Sequence, residues 1–275
     1  MATRSAIVTG GGTGIGAAIA RRLSADGYAV TVLGRRAEPL DEVVRQLSQG
    51  LVVTGDVGRP EDCERAVAAA LEAFGSVDVL VNNAGIGNGG TAIEESPEQW
   101  DSVLRTNLSG AFYMARAALP QLIERRGAIV NISSTSGYLA GPGWTSYCTS
   151  KAGLIMLSRC LANDYGPAGV RTNTVCPGWV RTPMGDEDMD VVAQAQGIDR
   201  EEAYRLLHQD VPIRRPAEAD EVASVVSFLV GPDASYVNGV SLPVDGGALI
   251  FDPTATAFAD PGCGLGYRLT DAMER

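Results

Sequence analysis

Tyr147 and Lys151 stand four positions apart in the run SYCTSKAG, residues 146–153. On a helix, that spacing sets the two side chains one above the other on a single face. Such a pair is either ordinary polar surface or an acid beside the cation that tunes it. A second run with chemical potential, TGGGTGIG at residues 9–16, spaces Gly10, Gly14 and Gly16 around Thr13 and Ile15. Between a strand and a helix, such a turn supplies positive φ, lets the backbone approach a pyrophosphate, and packs the helix onto the sheet. The helix start then offers free N–H groups and a partial positive charge to the phosphates. Other chemistries find little support. His208 is the only histidine, which argues against a zinc centre, and no GxSxG elbow accompanies it to make a Ser-His-Asp hydrolase.

The elements that must hold these residues alternate along the chain. The runs SAIVTG, YAVTVLG, LVVTGDV, VDVLVNNAG, GAIVNISS, VRTNTVCPG and GVSLPVDGG are short, apolar and rich in β-branched residues. Between them lie helical patterns: GAAIARRLSADG, AEPLDEVVRQLSQ, PEDCERAVAAALEAFG, a stretch from about Pro97 to Ile123, Ser146 to Tyr165, and PAEADEVASVVSFLVG. Strands apolar on both faces, each followed by a helix, predict an α/β fold: one doubly wound domain whose parallel sheet is covered on both sides. No linker, repeat or low-complexity tract divides it.

Composition sets the outer limits. Of 275 residues, 45% are apolar, enough for a sizeable core, and 33 are glycine, as tight turns require. A formal charge of −11, from 22 basic and 33 acidic residues, disfavours nucleic acid and anionic membranes as partners. The start, MATRSAIVTGG, holds no apolar stretch long enough for a signal peptide, and no run approaches membrane-spanning length. The expected location is the cytoplasm. Cys63, Cys148, Cys160, Cys176 and Cys263 are scattered without a CxxC pair, as befits isolated thiols in a reducing compartment.

After the second strand, dinucleotide-binding chains that take NAD usually carry an acid for the adenosine ribose. Here that place reads LGRR, with Gly34, Arg35 and Arg36. A carboxylate would repel a 2′-phosphate, whereas a small residue followed by arginine can hold one by charge-assisted hydrogen bonds. NADP is therefore the expected cofactor and NAD the alternative.

TGGGTGIG, NNAG at 82–85, the asparagine of RTNLSG, NISS, YCTSK and PGWVRT occur in that order. With this ordered set the chain resembles the short-chain dehydrogenase/reductase family from about residue 5 to residue 247. The resemblance implies a nicotinamide-binding Rossmann domain, usually of seven strands, and an assembly such as a homotetramer or homodimer. It also implies that Tyr147 and Lys151 are an acid/base pair. Hydride transfer to a ketone builds negative charge on oxygen, which needs a proton donor there. Free tyrosine has a pKa of ~10, and a lysine ammonium nearby would stabilise phenolate and lower that value. By the same resemblance Lys151 binds the nicotinamide ribose. Ser134, thirteen residues before Tyr147, polarises the substrate, with Ser133 as the alternative; Asn107 helps hold a water for proton relay. Cofactor contacts implied are Asp56 and Val57 at the adenine edge, and Asn82 or Asn83 with Ala84 and Gly85 beside the adenosine ribose. Pro177, Gly178, Val180 and Thr182 would grip the carboxamide. One departure is the absence of a basic residue from the glycine turn, where NADP-preferring members often have one, so the NADP assignment rests mainly on Gly34 and Arg35.

Residues about 183–212 occupy the place of the family's substrate lid. That segment opens with Asp186, Glu187, Asp188 and Asp190, which would repel anionic substrates or simply form a solvated face, and becomes helical later. Tyr138, Trp144, Trp179 and Met184 either line an apolar pocket or pack a turn. The extension 248–275 is rich in apolar residues and is expected to pack at a subunit interface or on its own subunit. The expected reaction is hydride exchange with a neutral, moderately apolar ketone or secondary alcohol. The alternatives are a 3-oxoacyl-thioester reductase, which would need a basic patch for an acidic carrier protein, and a non-catalytic nucleotide-binding scaffold.

Overall fold

The computed structural model describes residues 4–87 and 90–250. Among these residues nine strands run in chain order as β1 (Ser5–Thr9), β2 (Ala29–Gly34), β3 (Gly50–Thr54), β4 (Val79–Asn82), β5 (Ala128–Ile132), β6 (Arg171–Pro177), β7 (Val180–Arg181), β8 (Ala217–Glu218) and β9 (Ser241–Val244). Seven of them form one parallel sheet in the order β3-β2-β1-β4-β5-β6-β9, while β7 and β8 make a separate two-residue parallel pair. The chain turns back on itself between β1 and β4, and in a doubly wound sheet that reversal opens a crevice at the strands' carboxyl ends. The predicted seven-stranded, doubly wound architecture is the one observed.

Among the described residues, nine α-helices pack around the strands: α1 (Gly14–Ala25), α2 (Ala37–Val44), α3 (Pro60–Phe74), α4 (Pro97–Leu104), α5 (Gly110–Arg125), α6 (Thr145–Tyr165), α7 (Pro183–Gln196), α8 (Arg200–His208) and α9 (Ala219–Val230). Period-two alternation sorts each strand between two cores. Ala6 and Val8 of β1 join α1 and α9 through Ile19 and Val226 on one face. Ile7 between them joins α3 and α5 through Val67 and Met114 on the other. This is why the strands read as unbroken apolar runs.

Three local expectations change. Helix α2 stops at Val44, not near Gln49, because Val44 and Leu47 close over Gly50 as the chain turns into β3. The helix expected over 97–123 is two helices joined by a π-turn, Arg105–Ser109. Such a turn holds an extra residue and re-aims its side chains. Here it buries Asn107, which is 1% exposed. The lid is helical from Pro183 onward, with Thr182 capping α7 through its hydroxyl, rather than becoming helical late. Most of the apolar extension, residues 251–275, lies outside the described residues, including its expected interface; of its described part, Ala248–Ile250 form a short 3-10 turn.

Candidate functional site

The crevice at the sheet reversal starts from one hydroxyl. Thr9, the last residue of β1, accepts hydrogen bonds from the backbone N–H of Asn83 and of Ala84, both at 3.0 Å. Asn83 answers by donating its Nδ2 to the carbonyls of Thr9 (2.9 Å) and Gly10 (3.2 Å). These bonds fasten the glycine turn to the segment after β4. Gly10 (φ +64°) and Gly14 (φ +52°) sit in the left-handed region that L side chains avoid. A Cβ on Gly16 would stand 2.2 Å from the Gly10 carbonyl oxygen, so only glycine allows the close packing behind the turn. Helix α1 has no side-chain cap at Thr13 and no acid in its first turn, so its leading N–H groups are left for an external acceptor.

A groove of about 290 Å³ runs along this crevice. Gly10, Thr13, Gly14 and Ile15 form its floor. Gly34, Arg35 and Arg36 close one end, beside Asp56 and Val57, while Asn83, Ala84 and Gly85 form the opposite wall. Among the described residues neither Arg35 nor Arg36 has a carboxylate or other hydrogen-bond partner, so both guanidinium groups are available to a phosphate. The backbone cradle, the uncapped helix start and these arginines together fit a phosphorylated dinucleotide.

Asn82 does not reach the groove. Its Nδ2 donates to the Asn131 side chain (2.9 Å), whose own amide donates to Ser158 of α6 (2.6 Å). Asn82 thus ties β4 through β5 to the helix that carries Tyr147. Adjacent strand residues point to opposite sides, so only one of the two asparagines could face the groove.

At the far end, Tyr147 and Lys151 lie on α6 as their spacing implies. Lys151 is 5% exposed, its Nζ lies 5.6 Å from the Tyr147 ring centroid, and it donates to the Ile132 carbonyl at 2.9 Å. Burial lowers the Lys151 pKa to about 8. The expected lowering of the tyrosine is absent in the protein alone. Burial pushes the Tyr147 phenol up, a hydrogen bond with Ser134 opposes this, and the carboxylate of Asp188 adds to the rise. The physical reason is that Lys151 extends beneath the ring to the carbonyl at the end of β5, with its own charge weakened by burial. Ser134 follows β5 by two residues, and its Oγ accepts from Ser136 N–H at 3.1 Å. Ser133 instead turns inward and donates to the Lys151 carbonyl (2.8 Å), which makes it a brace for α6. Asn107 is fully engaged with protein: it accepts from Ile86 N–H (2.8 Å) and donates to the Ile86 carbonyl (2.9 Å) and Ser150 Oγ (3.0 Å). It clamps the segment after Gly85 to α6.

A second cavity of about 260 Å³ opens beside the first. Pro177, Gly178 and Val180 line this one and not the groove, whereas Thr182 lines both. Ile15, Ser133, Tyr147 and Met184 are also common to the two, so Tyr147 stands at their boundary. Trp144 and Trp179 form an edge-to-face pair here, with centroids 6.0 Å apart. Tyr138 does not line it: its hydroxyl donates to the Ser241 carbonyl at 3.1 Å.

Two contributors escape a reading by motif. Thr9 has a local signal, a hydroxyl where the first strand meets the glycine turn. Glu95 has none. From a loop fifty-one residues upstream it accepts from the Ser146 N–H (3.2 Å) and hydroxyl, capping α6 where Trp144 supplies no cap.

The sequence model of a family described as enoyl-(acyl carrier protein) reductase matches residues 10–248. Protein MoaE of Klebsiella aerogenes is 40% identical, over 93% of this chain and 99% of its own length. The 2-(R)-hydroxypropyl-CoM dehydrogenase of Xanthobacter autotrophicus is also 40% identical, over 89% of this chain and 98% of its own. Among solved structures, a single-substitution variant of actinorhodin polyketide ketoreductase with NADPH superposes with a TM-score of 0.85 at 38% identity, covering 89% of this chain and 97% of that one.

Proposed function

The chain belongs to the short-chain dehydrogenase/reductase family and is an NAD(P)-dependent oxidoreductase of CH–OH groups, and on that premise we propose that it interconverts a small ketone and its secondary alcohol with NADP(H), using Asn107, Ser134, Tyr147 and Lys151. The observation that carries this reading is the position of Tyr147, at the boundary between a dinucleotide-shaped groove and a second, aromatic-lined cavity.

A bound dinucleotide would supply or accept the hydride at its nicotinamide, with the Gly10–Gly16 turn at its phosphates, Asp56, Val57, Asn83, Ala84 and Gly85 around its adenosine, and Thr182 at its nicotinamide end. The chain's own residues manage the proton. Ser134 Oγ accepts from Ser136 N–H and bonds to Tyr147, and an incoming substrate oxygen would take the hydroxyl hydrogen in place of that second bond. Tyr147 donates its phenolic proton to that oxygen in reduction and recovers it in oxidation. Lys151, with its pKa near 8, can carry charge while Tyr147 is phenolate and can release a proton near neutrality. Asn107 keeps the Gly85–Ile86 segment and α6 in register so that these distances hold.

Arg35 and Arg36, without partners among the described residues, support NADP over NAD, and the NADPH in the ketoreductase structure agrees with that choice. The thioester reading has less support because one arginine of each of its two basic clusters, Arg125–Arg126 and Arg214–Arg215, is already paired. Arg125 pairs with Asp78 at 2.9 Å and Arg215 with Glu221 at 2.7 Å. Assembly into a homotetramer or homodimer belongs to the same proposal. Phe112 on α5 and Met156 on α6 leave apolar surface exposed. A cytoplasmic location is likewise proposed, on the free thiols of Cys63, Cys148, Cys160 and Cys176; no described helix is long and apolar enough to cross a membrane. The test is absorbance at the reduced nicotinamide band with a panel of ketones and secondary alcohols and both cofactors. Turnover with NADPH in preference to NADH is expected, and no turnover of any member would overturn the reading.

A further inference from the structure

The second cavity contains one carboxylate that no protein cation answers among the described residues. Asp188, on the second turn of α7, lines it together with Ser134, Trp144, Tyr147, Trp179 and Met184. The neighbouring bases are committed elsewhere. Arg200 holds Asp190 at 2.6 Å and Asp186 at 3.3 Å, while Arg181 holds Glu201 at 2.6 Å and Glu218 at 3.7 Å. Asp186 also accepts from the Tyr204 hydroxyl at 2.9 Å. Lys151, the remaining cation of the site, is directed to the Ile132 carbonyl. Asp188 therefore has no ion-pair or hydrogen-bond partner among the described residues, and Glu187 beside it adds negative charge.

An unanswered carboxylate here works against the reaction. Its field, with burial, raises the Tyr147 phenol and so opposes the phenolate that proton donation leaves behind. Asp188 is exposed at the cavity mouth, yet partial desolvation and the charge of Glu187 still raise its carboxyl. A cation placed in the cavity would relieve both effects at once. The rest of the wall suits a cation: two indole rings in edge-to-face contact and a polarisable thioether, with aromatic faces that attract an ammonium electrostatically.

Building on the oxidoreductase reading above, we propose that Asp188 is a specificity-determining residue, and that the substrate is a ketone or secondary alcohol that also carries a protonated amino group. The amine lies between the Asp188 carboxylate and the Trp144–Trp179 pair, and the carbonyl or hydroxyl reaches Ser134 and Tyr147. Carboxylate-bearing substrates are repelled by the same group.

Two arms test this with the full chain and NADP bound. In the first, tryptophan fluorescence is titrated with benzylammonium and with neutral benzamide, neither of which can undergo the reaction. Benzylammonium should bind about tenfold more tightly than benzamide, a difference of ~1.4 kcal/mol. Asp188→Asn should bring the ratio of the two affinities close to one. Equal affinities in the wild type, or an unchanged ratio in Asp188→Asn, would overturn the proposal. In the second arm, 1-amino-2-propanol, 1,2-propanediol and lactate are compared as alcohols of matched skeleton. The order of kcat/KM should be amine, then diol, then acid, with the amine's advantage residing in KM and lost in Asp188→Asn. A diol or acid as good as the amine overturns the charge preference. A positive binding arm with no alcohol or ketone oxidised or reduced would instead remove the oxidoreductase reading and leave Asp188 as a cation site.

Discussion

The groove and the second cavity share a wall yet are built from different materials. The groove is made by backbone: strand ends of one sheet, two glycines at positive φ, an uncapped helix start, and the Thr9–Asn83 bonds that lock them together. The second cavity is made by side chains from separate elements: Trp144 before α6, Trp179 between β6 and β7, Met184 and Asp188 on α7. Where backbone forms the site, the ligand class follows from the fold. Where side chains form it, one residue can redirect the chemistry, the part proposed for Asp188. Tyr147 belongs to the shared edge and Lys151 to the groove beside it, on a helix α6 that is braced by Ser133, Asn107 and Glu95.

The comparison can be broken most forcefully at the boundary. Tyr147→Phe keeps the ring and its packing but removes the proton donor. Turnover should fall about 10³-fold or more while cofactor still binds, since a positioned general acid is worth roughly 10²–10⁴ and the phenolate charge is lost as well. Near-normal kcat in this variant would take Tyr147 out of the mechanism.

Lys151 offers a measure of how much the groove's inner end costs the fold. With its pKa depressed from 10.5 to about 8, the charged side chain destabilises the folded state below pH 8 by about 3 kcal/mol. The unfolded chain binds this proton more firmly, so folded stability rises with pH between those two values and the penalty fades there. Lys151→Met should lose activity yet resist urea better than wild type near neutral pH, less about 1 kcal/mol for the lost bond to Ile132. Its advantage should shrink as pH approaches 10.5. A stability difference independent of pH across that window would show that Lys151 is not a buried charge.

The smallest of these effects concerns the groove's far end. Arg35→Asp should raise KM for NADP about 10- to 100-fold with kcat little changed, because a charge-assisted hydrogen bond is worth roughly 1.5–3 kcal/mol and lies far from the hydride. A wild type that prefers NAD in kcat/KM would show that the arginines serve something else.

Much of this was open to reading because the decisive geometry is short-range. Four residues on a helix determine that Tyr147 and Lys151 share a face, and a glycine run between a strand and a helix determines a phosphate cradle at Gly10 and Gly14. Neighbours within a few positions are constrained by local backbone geometry alone, and so the groove, the doubly wound sheet and the shared helix face of Tyr147 and Lys151 were determined by the chain's own order. Tertiary structure decided the rest. Only the placement of β4 beside β1 and β5 selects Asn83 for the groove and turns Asn82 toward Asn131. The π-turn that buries Asn107, the Glu95 cap on α6 and the meeting of Asp188 with Tyr147 each join residues far apart in sequence. Such pairings depend on where whole elements come to rest against the core, and no local pattern carries that information. Lys151 shows the same limit in energetic form: its position follows from spacing, but its direction toward Ile132, and hence the raised phenol of Tyr147, follows only from the dry environment that packing creates.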